Sequence, residues 1–168
     1  MDIHPIIVHF PVAFLTIYGI AELVRFSFVT RQSYWFYVKG VLVIVGSVSS
    51  LGALWTGEQI AEQVEDIPRI MQLHSMFAQA TVWIFGVVAL AYFVTWLQRG
   101  SPEAISRLGI MGVVFQKYSS FVMRPSILVV FALLGLAAVT ITGGLGGAMV
   151  YGLDFDPLMK PVFKFLGL

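Results

Sequence analysis

The sequence predicts an all-α membrane protein, a bundle of four transmembrane helices with interfacial segments between helices 3 and 4 and at the C-terminus. Of its 168 residues, 58% are hydrophobic and only 11% are charged, whereas soluble domains have about 25% charged residues. The mean hydropathy is +0.89. Four apolar stretches are also long enough for a membrane span, which takes about 20 helical residues.

The predicted spans cover residues 5–29, 34–57, 69–98 and 126–150. The first stretch has no positively charged region before it and no small-residue cleavage site after it, so it is predicted to be a retained span and not a signal peptide. Because the spans leave almost no chain for a soluble domain, residues 1–168 are predicted to form one membrane domain.

Two segments outside the spans are predicted to lie at the membrane surface. The connection 99–125 begins with a Gly-Ser-Pro sequence and then mixes apolar with basic residues, which is typical of a helix lying in the interface. The tail 154–168 is interrupted by Pro157 and Pro161 and carries three Phe and two Lys residues. It is predicted to rest on the same kind of surface.

The charges predict the orientation. Seven of the ten Lys and Arg residues fall in or beside the connections between spans 1 and 2 and between spans 3 and 4, which places that side in the cytoplasm. Both termini are then periplasmic. Glu22, one turn before Arg25, is predicted to pair with it within span 1. Seven of the nine acids lie on the periplasmic side: Asp2, Glu58, Glu62, Glu65, Asp66, Asp154 and Asp156.

Composition excludes several classes of function. The net charge of +1 offers no basic excess for a nucleic-acid backbone. The absence of Cys excludes thiolate catalysis, iron–sulfur clusters and covalently attached c-type haem. No nucleophile elbow, P-loop or dinucleotide fingerprint is present. No catalytic residue is predicted, and an electron carrier or accessory subunit fits better than a stand-alone enzyme.

All three histidines fall at the predicted periplasmic end of the bundle. His9 lies about 7.5 Å deeper in span 1 than His4, and His74 lies five residues beyond the start of span 3. His9 and His74 are therefore predicted to face each other at one level. His4 and His9 point about 140° apart around a helix, so one small site takes both only if a proline bends the chain.

Two facing imidazoles favour axial ligation of a b-type haem between spans 1 and 3. His9 and His74 are the predicted iron ligands, and His4, Trp55 and Glu58 are predicted to lie beside them or at the propionates. The alternative is a pair of interfacial imidazoles hydrogen-bonded to backbone or to Glu. Small residues on spans 2 and 4 are predicted to give the macrocycle clearance; they include Gly46, Ser47, Gly52, Gly135, Gly143 and Gly147.

Two features of this end have a second interpretation. The Gly143–Gly147 spacing is also typical of close helix packing. Glu58 and Glu62 lie four residues apart on one helical face. Together with His74 they are predicted, as an alternative, to hold a divalent transition metal. A solvated acidic loop is the alternative for these carboxylates.

Four motifs carry a resemblance to a known family: HPIIVHFP at 4–11, WTGEQIAEQVE from 55, His74, and TGGLGGAMVYG from 142. Together they resemble the small bacterial membrane proteins of the domain-of-unknown-function 2231 family. The resemblance implies a four-span fold, a bacterial source and, because relatives occur with c-type cytochrome domains, a redox role with bound haem. Relatives often have a His after the last tyrosine, where this chain has Gly152 and Leu153.

The predicted function is electron transfer by haem b in the bacterial inner membrane, with a periplasmic cytochrome or a partner membrane subunit. The first alternative is a non-catalytic structural or assembly subunit of a larger redox or photosynthetic complex. The second is a divalent-metal-binding protein or transporter. The absence of ionisable residues at the predicted bilayer midplane weakens the transporter.

Overall fold

The computed structural model describes residues 3–168, and every regular element in that range is a helix. Asp2, one of the predicted periplasmic acids, lies outside the described residues. The helices are α1 (His4–Ile7), α2 (His9–Leu23), α3 (Ser27–Thr30), α4 (Trp35–Ala61), α5 (Arg69–Gly100), α6 (Pro102–Ser106), α7 (Ile110–Val122), α8 (Pro125–Tyr151) and α9 (Lys160–Phe165).

Four helical segments are long and apolar enough to cross a membrane: His4–Leu23, Trp35–Ala61, Arg69–Gly100 and Pro125–Tyr151. The first comprises α1 and α2, which a single turn residue, Val8, separates. The predicted all-α class and the four spans are therefore confirmed.

The first span ends six residues earlier than predicted. Val24 is extended, with ψ of 126°, and the Arg25 guanidinium donates a hydrogen bond to the carbonyl oxygen of Glu22 at 3.0 Å. A cation that binds a carbonyl of the last turn is a common way to end a helix. Residues 27–29, predicted to continue the span, belong instead to α3.

The four long helices form a bundle in which α2 packs against α4 and α8, and α5 packs against the same two helices. Helices α2 and α5 therefore occupy opposite corners. In the centre the Tyr18 ring meets Phe85 and Tyr92 edge to face, each pair with centroids 5.9 Å apart. Spans 1 and 3 thus face each other across the bundle, as any site shared between them requires.

The middle of the bundle is filled by side chains. A Cβ atom added at Gly46 would lie 2.5 Å from Leu15, and one added at Gly135 would overlap the Phe85 ring. Leu15 and Phe85 are fully buried. These two glycines, predicted to give clearance for a macrocycle, therefore admit protein side chains instead.

We expect Gly135→Ala to destabilise the protein by about 1–3 kcal/mol, because overpacking a closed core forces neighbouring side chains and backbone to shift. Gly86→Ala is the matched control, since an added Cβ there has no neighbouring atom within 4 Å. It should be neutral or slightly stabilising. Thermal unfolding of the two variants in detergent measures the difference, and equal midpoints would contradict this packing.

A buried charge network ties three helices together near the predicted cytoplasmic end. The Lys39 ammonium contacts Glu22 Oε1 at 2.9 Å, and the hydroxyls of Tyr18 and Tyr92 donate to Glu22 Oε2 at 3.2 and 3.0 Å. Glu22 is only 2% exposed. The predicted pairing of Glu22 with the Arg25 side chain is wrong, because the carboxylate points into the bundle while Arg25 bonds the backbone.

The connection before α8 has the predicted interfacial character. Helix α7 has 13 residues, too few to span a bilayer, and it packs against α5. The Tyr118 hydroxyl donates to the carbonyl of Val87. The outward side of α7 is apolar and exposed, as suits an interfacial helix. It carries Ile110, Met111, Val113, Val114 and Phe121.

The C-terminal tail packs on the ends of α5 and α8. Phe155 lies against Gly147, where an added Cβ would be 2.5 Å from its ring, and Met159 lies against Gly144. Met159 and Phe163 are buried there among residues of both helices. The tail therefore covers the outer side of the same end of the bundle that carries the histidines.

Candidate functional site

The structure brings His4 and His74 together at one end of the bundle. His4 lies in α1, and its Nδ1 is 2.8 Å from the Thr56 hydroxyl of α4. His74 lies in α5, and its Nδ1 is 3.0 Å from the carbonyl oxygen of Thr142 in α8. Both side chains are half-buried, and they belong to α1 and α5 at the same end of the bundle.

In both hydrogen bonds the imidazole Nδ1–H is the donor. A carbonyl oxygen carries no proton, so His74 Nδ1–H donates to Thr142. Thr56 Oγ1 lies 3.1 Å from the carbonyl oxygens of both Gly52 and Ala53, so its proton is donated within α4 and its lone pair accepts His4 Nδ1–H. In the neutral form of each imidazole the lone pair is then on Nε2, and this tautomer binds a metal through that atom.

Two glycines let the imidazoles approach the helix backbones. An added Cβ would lie 3.1 Å from His4 Cε1 at Gly57 and 3.3 Å from His74 Cε1 at Gly146. Neither glycine was predicted from the sequence to contact a histidine. Gly146 lies four residues after Thr142, so both are on one face of α8. This spacing is the sequence feature that links Gly146 to the histidine.

His9 does not take the predicted position opposite His74. Its side chain is exposed, and its Nδ1 donates to the carbonyl of Pro5 in the preceding turn. Because positions five residues apart point about 140° apart on a helix, an inward His4 places His9 outward. The imidazole that the structure brings near His74 is therefore that of His4.

Four of the other predicted site residues lie on outer surfaces. Trp55 and Glu58 are exposed on α4, Glu62 is exposed directly after its last residue, and Gly143 is exposed on α8. Within residues 3–168 no group of three or more His, Asp or Glu side chains is arranged to hold a metal ion. The predicted divalent site is not assembled, because both carboxylates face outward while His74 turns toward α8.

The histidine end of α5 is less buried than its middle. In α5 the buried residues begin at Thr81, and residues 69–80 contain none. His74 lies within this partly exposed stretch, whereas the centre of the bundle around Phe85 is closed.

These features define a helical membrane bundle with an oriented imidazole pair near one membrane surface. The sequence profile of the family described as "Predicted membrane protein (DUF2231)" matches residues 1–155, and the chain belongs to that family. The match includes both imidazoles of the pair and the glycine-rich end of α8. Searches of curated proteins and of solved structures gave no match.

Proposed function

We propose that the protein binds one haem b between His4 and His74 and transfers electrons. The observation that carries this proposal is the matched orientation of the two imidazoles. Each comes from one of two opposite helical segments, each has its Nδ1–H donated to an oxygen, and each therefore presents Nε2 as a ligand atom. Two such ligands suit a six-coordinate haem iron, and the haem supplies a one-electron redox centre.

The surrounding residues have defined tasks in this proposal. The Thr56 hydroxyl and the Thr142 carbonyl hold the rings in orientation and increase their basicity as ligands. The closed core at Leu15 and Phe85 excludes water from the side that faces the bilayer centre.

The partner and orientation follow from charge. We place the protein in the bacterial inner membrane with both termini and the histidine end periplasmic, because most Lys and Arg residues lie at the other end. Glu58 and Glu62 are exposed beside the site. Such a negative surface favours the approach of a positively charged periplasmic cytochrome, and a partner membrane subunit is the other candidate electron donor or acceptor.

A reduced-minus-oxidised visible spectrum of the detergent-purified protein tests this function. Protein from haem-sufficient cells should show b-type bands and close to one extractable haem per chain. A flat spectrum would overturn the proposal. A pigment-free protein that co-purifies reproducibly with other membrane subunits would instead support the structural-subunit alternative.

We expect Thr56→Val to weaken haem binding by about 10- to 100-fold, the usual effect of losing a hydrogen-bond partner of a ligating histidine. Thr95→Val is the matched control, because the Thr95 hydroxyl donates only to the Ala91 carbonyl of its own helix. Haem titration of the apoprotein gives both affinities. Equal affinities for the two variants would show that Thr56 does not position a ligand.

A further inference from the structure

A groove lies between the end of α4 and the beginning of α5, at the histidine end of the bundle. Its volume is about 300 Å³, and it is open on one side. Met71, Met76 and Ile67 form its apolar walls, and Gln72, Ser75 and Gln79 form a polar edge. Ser75 directly follows His74 in the chain, so the groove lies at the same level of α5 as the proposed haem site, on a different face of the helix.

The polar edge is built to bind through hydrogen bonds. Gln72, Ser75 and Gln79 follow one another at spacings of three and four residues, which places them on one face of α5. The Gln72 amide donates to the Ile67 carbonyl at 3.0 Å, which holds that side chain in place. Within residues 3–168 the Ser75 hydroxyl and the Gln79 amide have no such partner, and both are exposed.

The depth of this edge restricts what binds there. Trp96 and Arg99 mark the cytoplasmic end of α5, and a hydrocarbon span of about 20 residues that ends at Trp96 begins near residue 77. Ser75 then lies in the headgroup layer and Gln79 at the edge of the hydrocarbon. An amide at that depth requires a hydrogen-bonding partner to offset its loss of water.

The charge of the groove restricts the ligand further. None of the groove residues named above is charged, whereas phosphate groups are usually bound by Arg or Lys. Glu62, Glu65 and Asp66 lie in the connection beside it and are exposed. Arg69, the cation nearest the groove in sequence, is turned toward the tail and donates to the carbonyl oxygen of Leu166. The three acids therefore disfavour anionic headgroups. The ligand is therefore a neutral, lipid-soluble molecule with hydrogen-bonding oxygens.

We propose that this groove binds the headgroup of a membrane quinone or quinol. The Gln79 amide is able to donate to a quinone carbonyl and to accept from a quinol hydroxyl, since it has both functions. The sulfur atoms of Met71 and Met76 suit contact with an aromatic ring. A role of this groove in electron transfer rests on the proposed haem. Binding of the quinone headgroup does not depend on the haem.

Competitive photolabelling tests the proposal on full-length protein in phosphatidylcholine nanodiscs. An azido-substituted benzoquinone with a decyl chain should label residues 67–79 saturably, and decylubiquinone should compete. Gln79→Leu should weaken the competition at least tenfold. Gln59→Leu, which removes an exposed amide of α4 outside the groove, should leave it unchanged.

Three outcomes would overturn the quinone site: labelling that does not saturate, equal competition by phosphatidylglycerol, or equal affinity in the Gln79→Leu and Gln59→Leu variants. Size-exclusion profiles of both variants establish that they are folded, and Ser75→Ala provides a second, milder variant. Haem content is measured on the same samples. Saturable labelling without haem refutes only the haem, and haem without saturable labelling refutes only the quinone site.

Discussion

Alanine at His4 or at His74 is expected to abolish stable haem binding, while His9→Ala leaves the haem content unchanged. The first two changes each remove one Nε2 ligand atom, and the third removes an exposed ring that bonds only its own helical turn. The measurement is extractable haem per chain in the three variants, purified in parallel and compared by size-exclusion profile.

The three variants also separate two pairings. Loss of haem in His9→Ala with retention in His4→Ala would contradict the structure-based pair and favour the His9–His74 pair predicted from the sequence. Full haem content in His74→Ala would refute both pairings, because His74 is common to them.

Lys39→Met is expected to destabilise the bundle by about 3–5 kcal/mol, the usual cost of leaving one member of a buried ion pair without its partner. Glu22 is 2% exposed, and Lys39 is its cationic partner at 2.9 Å. Unfolding in mixed detergent and SDS micelles gives the free energy. The double variant Lys39→Met/Glu22→Leu should recover much of the loss, because it also removes the unpaired carboxylate.

Lys160→Met provides the matched control for that prediction. Lys160 contacts Asp154 at 2.8 Å, but both side chains are largely exposed, and exposed pairs contribute little to stability. The Lys160 ammonium lowers the pKa of Asp154, so the main effect of the change should be a rise in that pKa. A Lys39→Met variant no less stable than Lys160→Met would contradict the buried network.

The four spans and the histidine-bearing end were predictable, because hydropathy and helix length depend only on local sequence. The choice between His4 and His9 was not. Their angular separation shows that one of them faces inward, but the rotation of the first span about its axis decides which one. That rotation is set by packing of α1 and α2 against α4, which the spacing of the histidines does not encode.

The same limit applies to Glu22 and to the glycines of α8. Arg25 is the nearer basic residue in sequence, yet the direction of the carboxylate selects Lys39 on another helix. Gly143 and Gly147 have the spacing of a helix-packing motif. In the structure Gly147 lies against Phe155 of the tail, and Gly146 lies against His74. Adjacent residues point about 100° apart on a helix, so a motif shifted by one residue faces a different neighbour.

Electron paramagnetic resonance of the air-oxidised, purified wild-type protein tests the His4–His74 haem most directly. Two imidazole ligands on one ferric iron predict a low-spin signal with the pattern of bis-histidine haem and no high-spin component. A high-spin signal would show that at most one histidine binds the iron. A sample without any ferric haem signal, from cells with ample haem, would contradict the assignment altogether.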